Sequence, residues 1–190
     1  LRPQIRSDAE QFMIGVDDLV HETAMLAMLD HPHIVKIHGR AGGSLSNSFR
    51  LSDGFFILLD RLTDTLDDRI PRWKKITTDK KAPTMSQIKT AISIADALSY
   101  LHTNKIIFRD LKPANVGYDN TGVLKLFDFG FATIVEEVEH EGHLLYDKCG
   151  TPRYMAPEVG LEHGYHLPAD VYSFGILLWE ICALKKPFGN

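Results

Sequence analysis

Cysteine is scarce: 190 residues contain Cys149 and Cys182 alone, with no paired spacing between them. This rules out a disulfide framework or a thiolate zinc site and suits a reducing compartment, so a cytoplasmic location is expected. A long apolar run is missing too. The most hydrophobic stretch, VYSFGILLWEICAL at 171–184, is broken by Ser173, Gly175 and Glu180. It falls short of the roughly 20 residues that a bilayer span needs and reads as a buried helix. Positive charge is not in excess either. Twenty-one Lys and Arg against 25 Asp and Glu leave a net charge of −4, which offers no footprint for nucleic acid. No internal repeat occurs. What remains is a globular composition, 44% hydrophobic and 24% charged.

Periodicity divides the chain into helix and strand. Val16, Leu19, Val20, Thr23, Leu26 and Leu29 recur at helical spacing, with Asp17 and Asp18 at the end where the macrodipole favours acids. Pro32 stops that helix, IVKI at 34–37 reads as a strand, and FFILLDRL at 55–62 as a second, fully buried one. Residues 71–83 are Lys-rich without a period and read as a solvated connector. Ile88, Ile92, Ala95, Leu98 and Leu101 mark the clearest helix, which Thr84 and Gln87 open with the spacing of a capping box. That cap accounts for SQIK at 86–89, a Ser-x-x-Lys without the partner motifs of a penicillin-binding enzyme. A hairpin across Asp119 to Gly122 and a last helix from Asp170 to about Leu184 complete the pattern. It predicts an α+β protein of two unequal lobes with the chemistry between them.

The chemistry concentrates in IIFRDLKPANVGYD at 106–119. Asp110, Asn115 and Asp128 fall at strand ends or tight loops, where the scaffold holds functional side chains exposed. Carboxylate and carboxamide oxygens without clustered His or Cys suit Mg²⁺ rather than zinc. Lys112 sets a cation where phosphate charge needs neutralising, so these residues point to metal-assisted phosphoryl transfer or hydrolysis. HEGH at 140–143 has only two histidines on a loop and is not read as a zinc site.

Four ordered stretches, FRDLKPAN, FDFG, GTPRYMAPE and DVYSFGILLWEI, resemble signatures of the eukaryotic protein kinases, and the resemblance covers nearly the whole chain. It implies a two-lobed kinase fold, with residues 1–62 as part of the N-terminal lobe and hinge and 63–190 as part of the C-terminal lobe. It implies ATP and Mg²⁺ as cofactors and a protein substrate bearing Ser or Thr. Lys112 and Thr151 resemble the serine/threonine kinases, whereas DVYSFGILLWEI resembles the tyrosine-kinase-like group. By the same resemblance Asp110 is the base, Lys112 touches the transferred phosphate, and Asn115 and Asp128 hold the metal. Arg109 faces an acid in the activation segment, which Asp147 is expected to supply, with Tyr146 or Thr133 as alternative modification points. Glu22 is the helix glutamate that pairs with a strand lysine. Leu26, Ile37, Phe108 and Phe129 form an apolar column anchored by Asp170. Leu59 gates the adenine pocket, Asp60 to Leu62 form the hinge, and Thr65 lies near the ribose.

Departures from the pattern carry expectations of their own. Phe108 replaces a His, and Phe131 stands where Leu is commoner. Gly117 stands where a Leu usually lies under adenine, which predicts a gap, weakened ATP binding, and improvement in Gly117→Leu. No Gly-x-Gly-x-x-Gly precedes the first helix, and the first lysine is Lys36, beyond Glu22. After KKPFGN relatives continue with helices, one carrying an Arg for Glu158. The expectation is the middle of a kinase domain, inactive by itself. The reading from another class is a noncatalytic, pseudokinase-like scaffold, which the intact Asp110, Asn115 and Asp128 disfavour.

Overall fold

The computed structural model describes residues 9–40, 56–76, 82–135 and 144–189. Helix α1 (Ala9–Ala27) leads through a turn to β1 (Ile37–Arg40), which pairs antiparallel with β2 (Ile57–Leu59). Strand β3 (Leu62–Thr65), helices α2 (Leu66–Ile76) and α3 (Met85–Thr103), and the two-residue β4 (Ile106–Ile107) follow. A 3₁₀ turn (Pro113–Asn115) opens the hairpin β5 (Val116–Asp119) and β6 (Leu124–Leu126). Strand β7 (Thr133–Ile134), the short α4 (Pro157–Gly160) and α5 (Pro168–Ala183) complete the order. No described helix is long and apolar enough to cross a membrane.

Several elements differ from expectation. IVKI is mostly irregular, since only Ile34 bridges to Leu126 and the strand starts at Ile37. FFILLDRL is two strands rather than one, and Leu58 is 56% exposed, because among the described residues β2 pairs with β1 alone. Residues 71–76 of the Lys-rich connector belong to helix α2. Asp67 and Asp68 in the first turn of α2 and Lys74 and Lys75 in the last complement its dipole, while Leu66, Ile70 and Trp73 supply an inward stripe that offsets Pro71.

Helix α3 carries the expected capping box: Gln87 N donates to Thr84 Oγ1, and Thr84 N donates to Gln87 Oε1 at 2.7 Å. Its buried face is rotated, however. Ile92 is 63% exposed, and the core side runs through Gln87, Thr90, Ile94, Ala97, Leu98 and Leu101. The two polar members are buried because both are bonded, Gln87 Nε2 to the Ile181 carbonyl and the Thr90 hydroxyl to that of Tyr118.

Of two apolar clusters among the described residues, the larger ties most of these elements together. Leu26, Phe108 and Phe129 are fully buried in it, Ile37 packs against it, and the Phe108 and Phe129 rings meet edge to face at 5.0 Å. The expected apolar column is therefore present as a set of contacts. Backbone bonds from Val35 N to Leu126 O and from Leu126 N to His33 O fasten the segment after α1 to β6. These fastenings bring Glu22, on α1, up to the loop that follows β6.

Candidate active site

The loop after β4 is shaped by one buried carboxylate. Asp170, in the first turn of α5 and 1% exposed, accepts from Phe108 N at 2.7 Å, Arg109 N at 2.9 Å and His102 Nε2 at 2.9 Å. Arg109 has φ of 70°, a conformation that is strained for a long side chain. The bonds to Asp170 hold it there, which turns Asp110 into the site and sends Arg109 the other way.

Asp110 is the hub. Its carboxylate accepts from Lys112 Nζ at 2.5 Å, Asn115 Nδ2 at 3.0 Å and Thr151 Oγ1 at 2.7 Å, and Lys112 also reaches Thr151 Oγ1 at 3.0 Å. Thr151 can come so close because Gly150, at φ +98°, lies against the Arg109 carbonyl where a Cβ would sit 2.4 Å away. Four sequence-predicted residues from two distant segments thus share one hydrogen-bonded cluster.

Asp128 stands beside it. Burial, and then the negative charge of Asp110, push its carboxyl above the ordinary aspartate range. Glu22 likewise sits above the ordinary range, chiefly through burial, while accepting from Phe129 N at 3.1 Å. These acids would be relieved by a cation. Asn115 commits its Nδ2 to Asp110 and leaves Oδ1, so Asn115 and Asp128 offer oxygen donors of the kind Mg²⁺ takes together with phosphate. Among the described residues no group of three or more His, Cys, Asp or Glu gathers as a transition-metal site would require.

Arg109 faces Asp147 as expected, with Nη1 2.6 Å from the carboxylate. Tyr165, which the sequence reading missed, completes the clasp: its hydroxyl donates to Asp147 and accepts from Arg109 Nη1 at 3.2 Å. No spacing signals it, because it reaches Asp147 through an isolated bridge between Leu145 and Tyr165. Burial works against both charges. The Arg109 guanidinium nevertheless lies above its ordinary pKa and the Asp147 carboxyl below, each held by the other and by Tyr165. Phe131 acts through its backbone, its carbonyl accepting from Arg109 Nε, while its ring is exposed. Glu158 is half-buried. HEGH and the rest of residues 136–143 lie outside the described residues.

The hinge residues are placed less uniformly. Leu59 pairs with Ile37 in the β1–β2 register and packs against the core. Asp60 N is spent on the Lys36 carbonyl, and the Asp60 side chain is fixed by Lys36 N, His38 and Lys125. Thr65 opposes Gly117 across β3 and β5, and its hydroxyl donates to Asp68 in the first turn of α2.

The gap expected at Gly117 is filled. A Cβ there would lie 2.5 Å from Leu62 Cδ1 and 3.2 Å from Phe127, so Leu62 supplies the apolar surface that the glycine lacks. Gly117→Leu is expected to cost about 1–3 kcal/mol through overpacking and to lower the thermal midpoint, rather than improve the site. Leu62→Ala in the same chain should recover most of that loss.

A family model described as protein kinase domain matches residues 4–190. The chain is 34% identical over 169 residues to a cAMP-dependent protein kinase type 3 of Saccharomyces cerevisiae, covering 89% of this chain and 38% of that protein. It is 37% identical over 170 residues to a cGMP-dependent protein kinase of Toxoplasma gondii, covering 89% and 15%. Over 92 residues it is 47% identical to a putative serine/threonine-protein kinase A of Trypanosoma brucei brucei, covering 48% and 21%. The chain thus spans well under half the length of these relatives.

Proposed function

The chain belongs to the protein kinase family, and from that premise we propose that it serves the transfer of the ATP γ-phosphate to serine or threonine hydroxyls of proteins, with Mg²⁺. The observation that carries this reading is the cluster in which one carboxylate, Asp110, holds Lys112, Asn115 and Thr151 together. Asp110 is the group placed to accept the acceptor hydroxyl's proton, and Lys112 to offset charge on the moving phosphate. Asn115 and Asp128 would hold Mg²⁺, which when bound neutralises phosphate charge. Leu59, Asp60, Leu62, Thr65 and Gly117 make the nucleotide side, and Glu22 supports the metal loop from behind. We assign residues 1–62 to the N-terminal lobe and hinge and 63–190 to the C-terminal lobe. The two free cysteines suit a reducing, cytoplasmic setting.

The test is incubation of the full-length protein that carries this chain with γ-labelled ATP, Mg²⁺ and a Ser/Thr- and Tyr-containing acceptor protein, followed by phosphoamino-acid analysis. Label on serine or threonine that a chelator abolishes is expected. Label on tyrosine, or none, overturns the reading, the latter in favour of a noncatalytic scaffold.

The Arg109–Asp147 contact gives a further expectation. Asp147 is 58% exposed, so the pair is worth little more than 1 kcal/mol, and Asp147→Ala should lower transfer about tenfold. Because the Asp147 carboxyl is held below its ordinary value, the contact persists at neutral pH and is lost only as pH falls through that depressed value, below the ordinary aspartate range. Amide exchange in residues 144–151 checks both, rising in the variant at neutral pH and in the parent only in acid.

A further inference from the structure

Two consecutive residues of α1 reach the turn that follows Asp128. Glu22 Oε1 accepts from Phe129 N at 3.1 Å, and His21 Nε2 lies 2.7 Å from the Ala132 carbonyl oxygen, 111 residues away in sequence. A carbonyl only accepts, so Nε2 carries hydrogen and donates. Ala132 N donates in its turn to the Phe129 carbonyl at 3.0 Å, which closes residues 129–132 on themselves. Helix α1 therefore grips this turn at its first N–H and at its last carbonyl. Among the described residues these are the only hydrogen bonds between α1 and residues 128–135.

The two contacts are not equivalent. Glu22 is an acid, and the charges of Asp128 and of Asp18, one turn back on α1, both oppose its ionised form. His21 bonds a neutral carbonyl and adds no negative charge to the site. The other anchors of this stretch come from the far side: Arg109 Nε donates to the Phe131 carbonyl, and Thr133 and Ile134 pair with β4. Neighbouring helix residues point about 100° apart, so a bond from His21 fixes the rotation of α1 about its axis, which Glu22 alone does not. Packing does not account for the side chain, since His21 is exposed and belongs to neither apolar cluster.

We propose that His21 is a positioning residue for phosphate transfer, its hydrogen bond to the Ala132 carbonyl acting with Glu22 to hold the turn that keeps Asp128 beside the Asp110 cluster. This rests on the reading of the chain as a protein kinase. Asp128 has a left-handed φ of 66° and is followed at once by the gripped turn, so play in the turn passes straight to its carboxylate. Without the His21 bond, α1 holds the turn only through an acid that Asp128 repels.

Three replacements of His21 in the full-length protein that carries this chain test this. Glutamine sets an N–H at nearly the reach of Nε2, glutamate sets only acceptors there at neutral pH, and alanine removes the group. His21→Ala is expected to lower kcat about three- to tenfold, the range of one net hydrogen bond, with KM for the acceptor protein unchanged. His21→Gln should return to within about twofold of the parent, and His21→Glu should not. Amide exchange across residues 129–134, measured without nucleotide or metal, should be faster in His21→Ala and His21→Glu and at the parent rate in His21→Gln. In an Asp128→Asn background His21→Ala should lower the rate no further, because the group it positions is gone. Unchanged kcat and exchange in His21→Ala, or a glutamine no better than glutamate, overturns the inference and leaves the kinase reading intact. A further loss in the Asp128→Asn background does the same. If the parent transfers no phosphate the catalytic reading is overturned, while exchange restored by glutamine alone still upholds the grip of α1 on the turn.

Discussion

Replacing Asp170 with alanine is expected to destabilise the fold by about 3–5 kcal/mol and to abolish phosphate transfer in whatever folded protein remains. The side chain is buried and accepts three hydrogen bonds, two of them from the backbone of the loop that carries Asp110. Its removal leaves Phe108 N, Arg109 N and His102 Nε2 to find water in a closed space. Arg109 then loses the backbone bond that fixes its positive φ, and relaxation of that residue turns Asp110 away from Lys112 and Thr151. Asp170→Asn separates the two effects. One amide oxygen can still accept, so a loss nearer 1–3 kcal/mol is expected, with transfer reduced further than stability. Denaturant midpoints and initial rates measured on the same samples check this. A folded Asp170→Ala protein that keeps full activity would show that the loop is set by something else.

The elements with strong local signals were legible in the sequence. The capping box of α3 and the β5–β6 hairpin depend on neighbours within a few positions, and so leave a pattern; Asp110, Asn115 and Asp128 were legible as residue types in short motifs, although Asp170 shapes the loop of the first from a distant helix. Features settled by distant partners did not. Gln87 and Thr90 look like surface positions until Ile181 and Tyr118 supply their hydrogen bonds, so periodicity placed the buried face of α3 over Ile88 and Ile92 instead. Gly117 reads as a gap because the side chain that fills it, Leu62, comes from another strand more than 50 residues earlier. Tyr165 gave no signal, since its place in the Arg109–Asp147 clasp is fixed by the bridge to Leu145 rather than by sequence spacing. α2 was overlooked because its lysines suggested a solvated tract, although they lie in the last turn where a helix favours them.

The metal loop provides the second large effect, in which activity and stability move in opposite directions. Asp128→Asn is expected to lower Mg²⁺-dependent transfer on the order of 10³-fold, since a charged donor is lost where the phosphate charge must be met. The same change should leave the thermal midpoint unchanged or raise it. The Asp128 carboxyl is raised by burial and by the charge of Asp110, so its ionised form is disfavoured in the fold relative to the unfolded chain. For such a group, stability is present while the carboxyl stays protonated and is lost as pH rises through the unfolded and then the folded value. At neutral pH the cost is in full force, and a neutral amide removes it. The backbone should not object, because Asp128 has φ of 66° and Asn tolerates that conformation well. Adding Mg²⁺ and nucleotide should stabilise the parent but not Asp128→Asn, so the two midpoints should approach or cross as ligand is titrated. A variant that melts well below the parent without ligand would mean that Asp128 is a structural anchor. One that is stabilised by Mg²⁺ and nucleotide as much as the parent would take Asp128 out of the metal site.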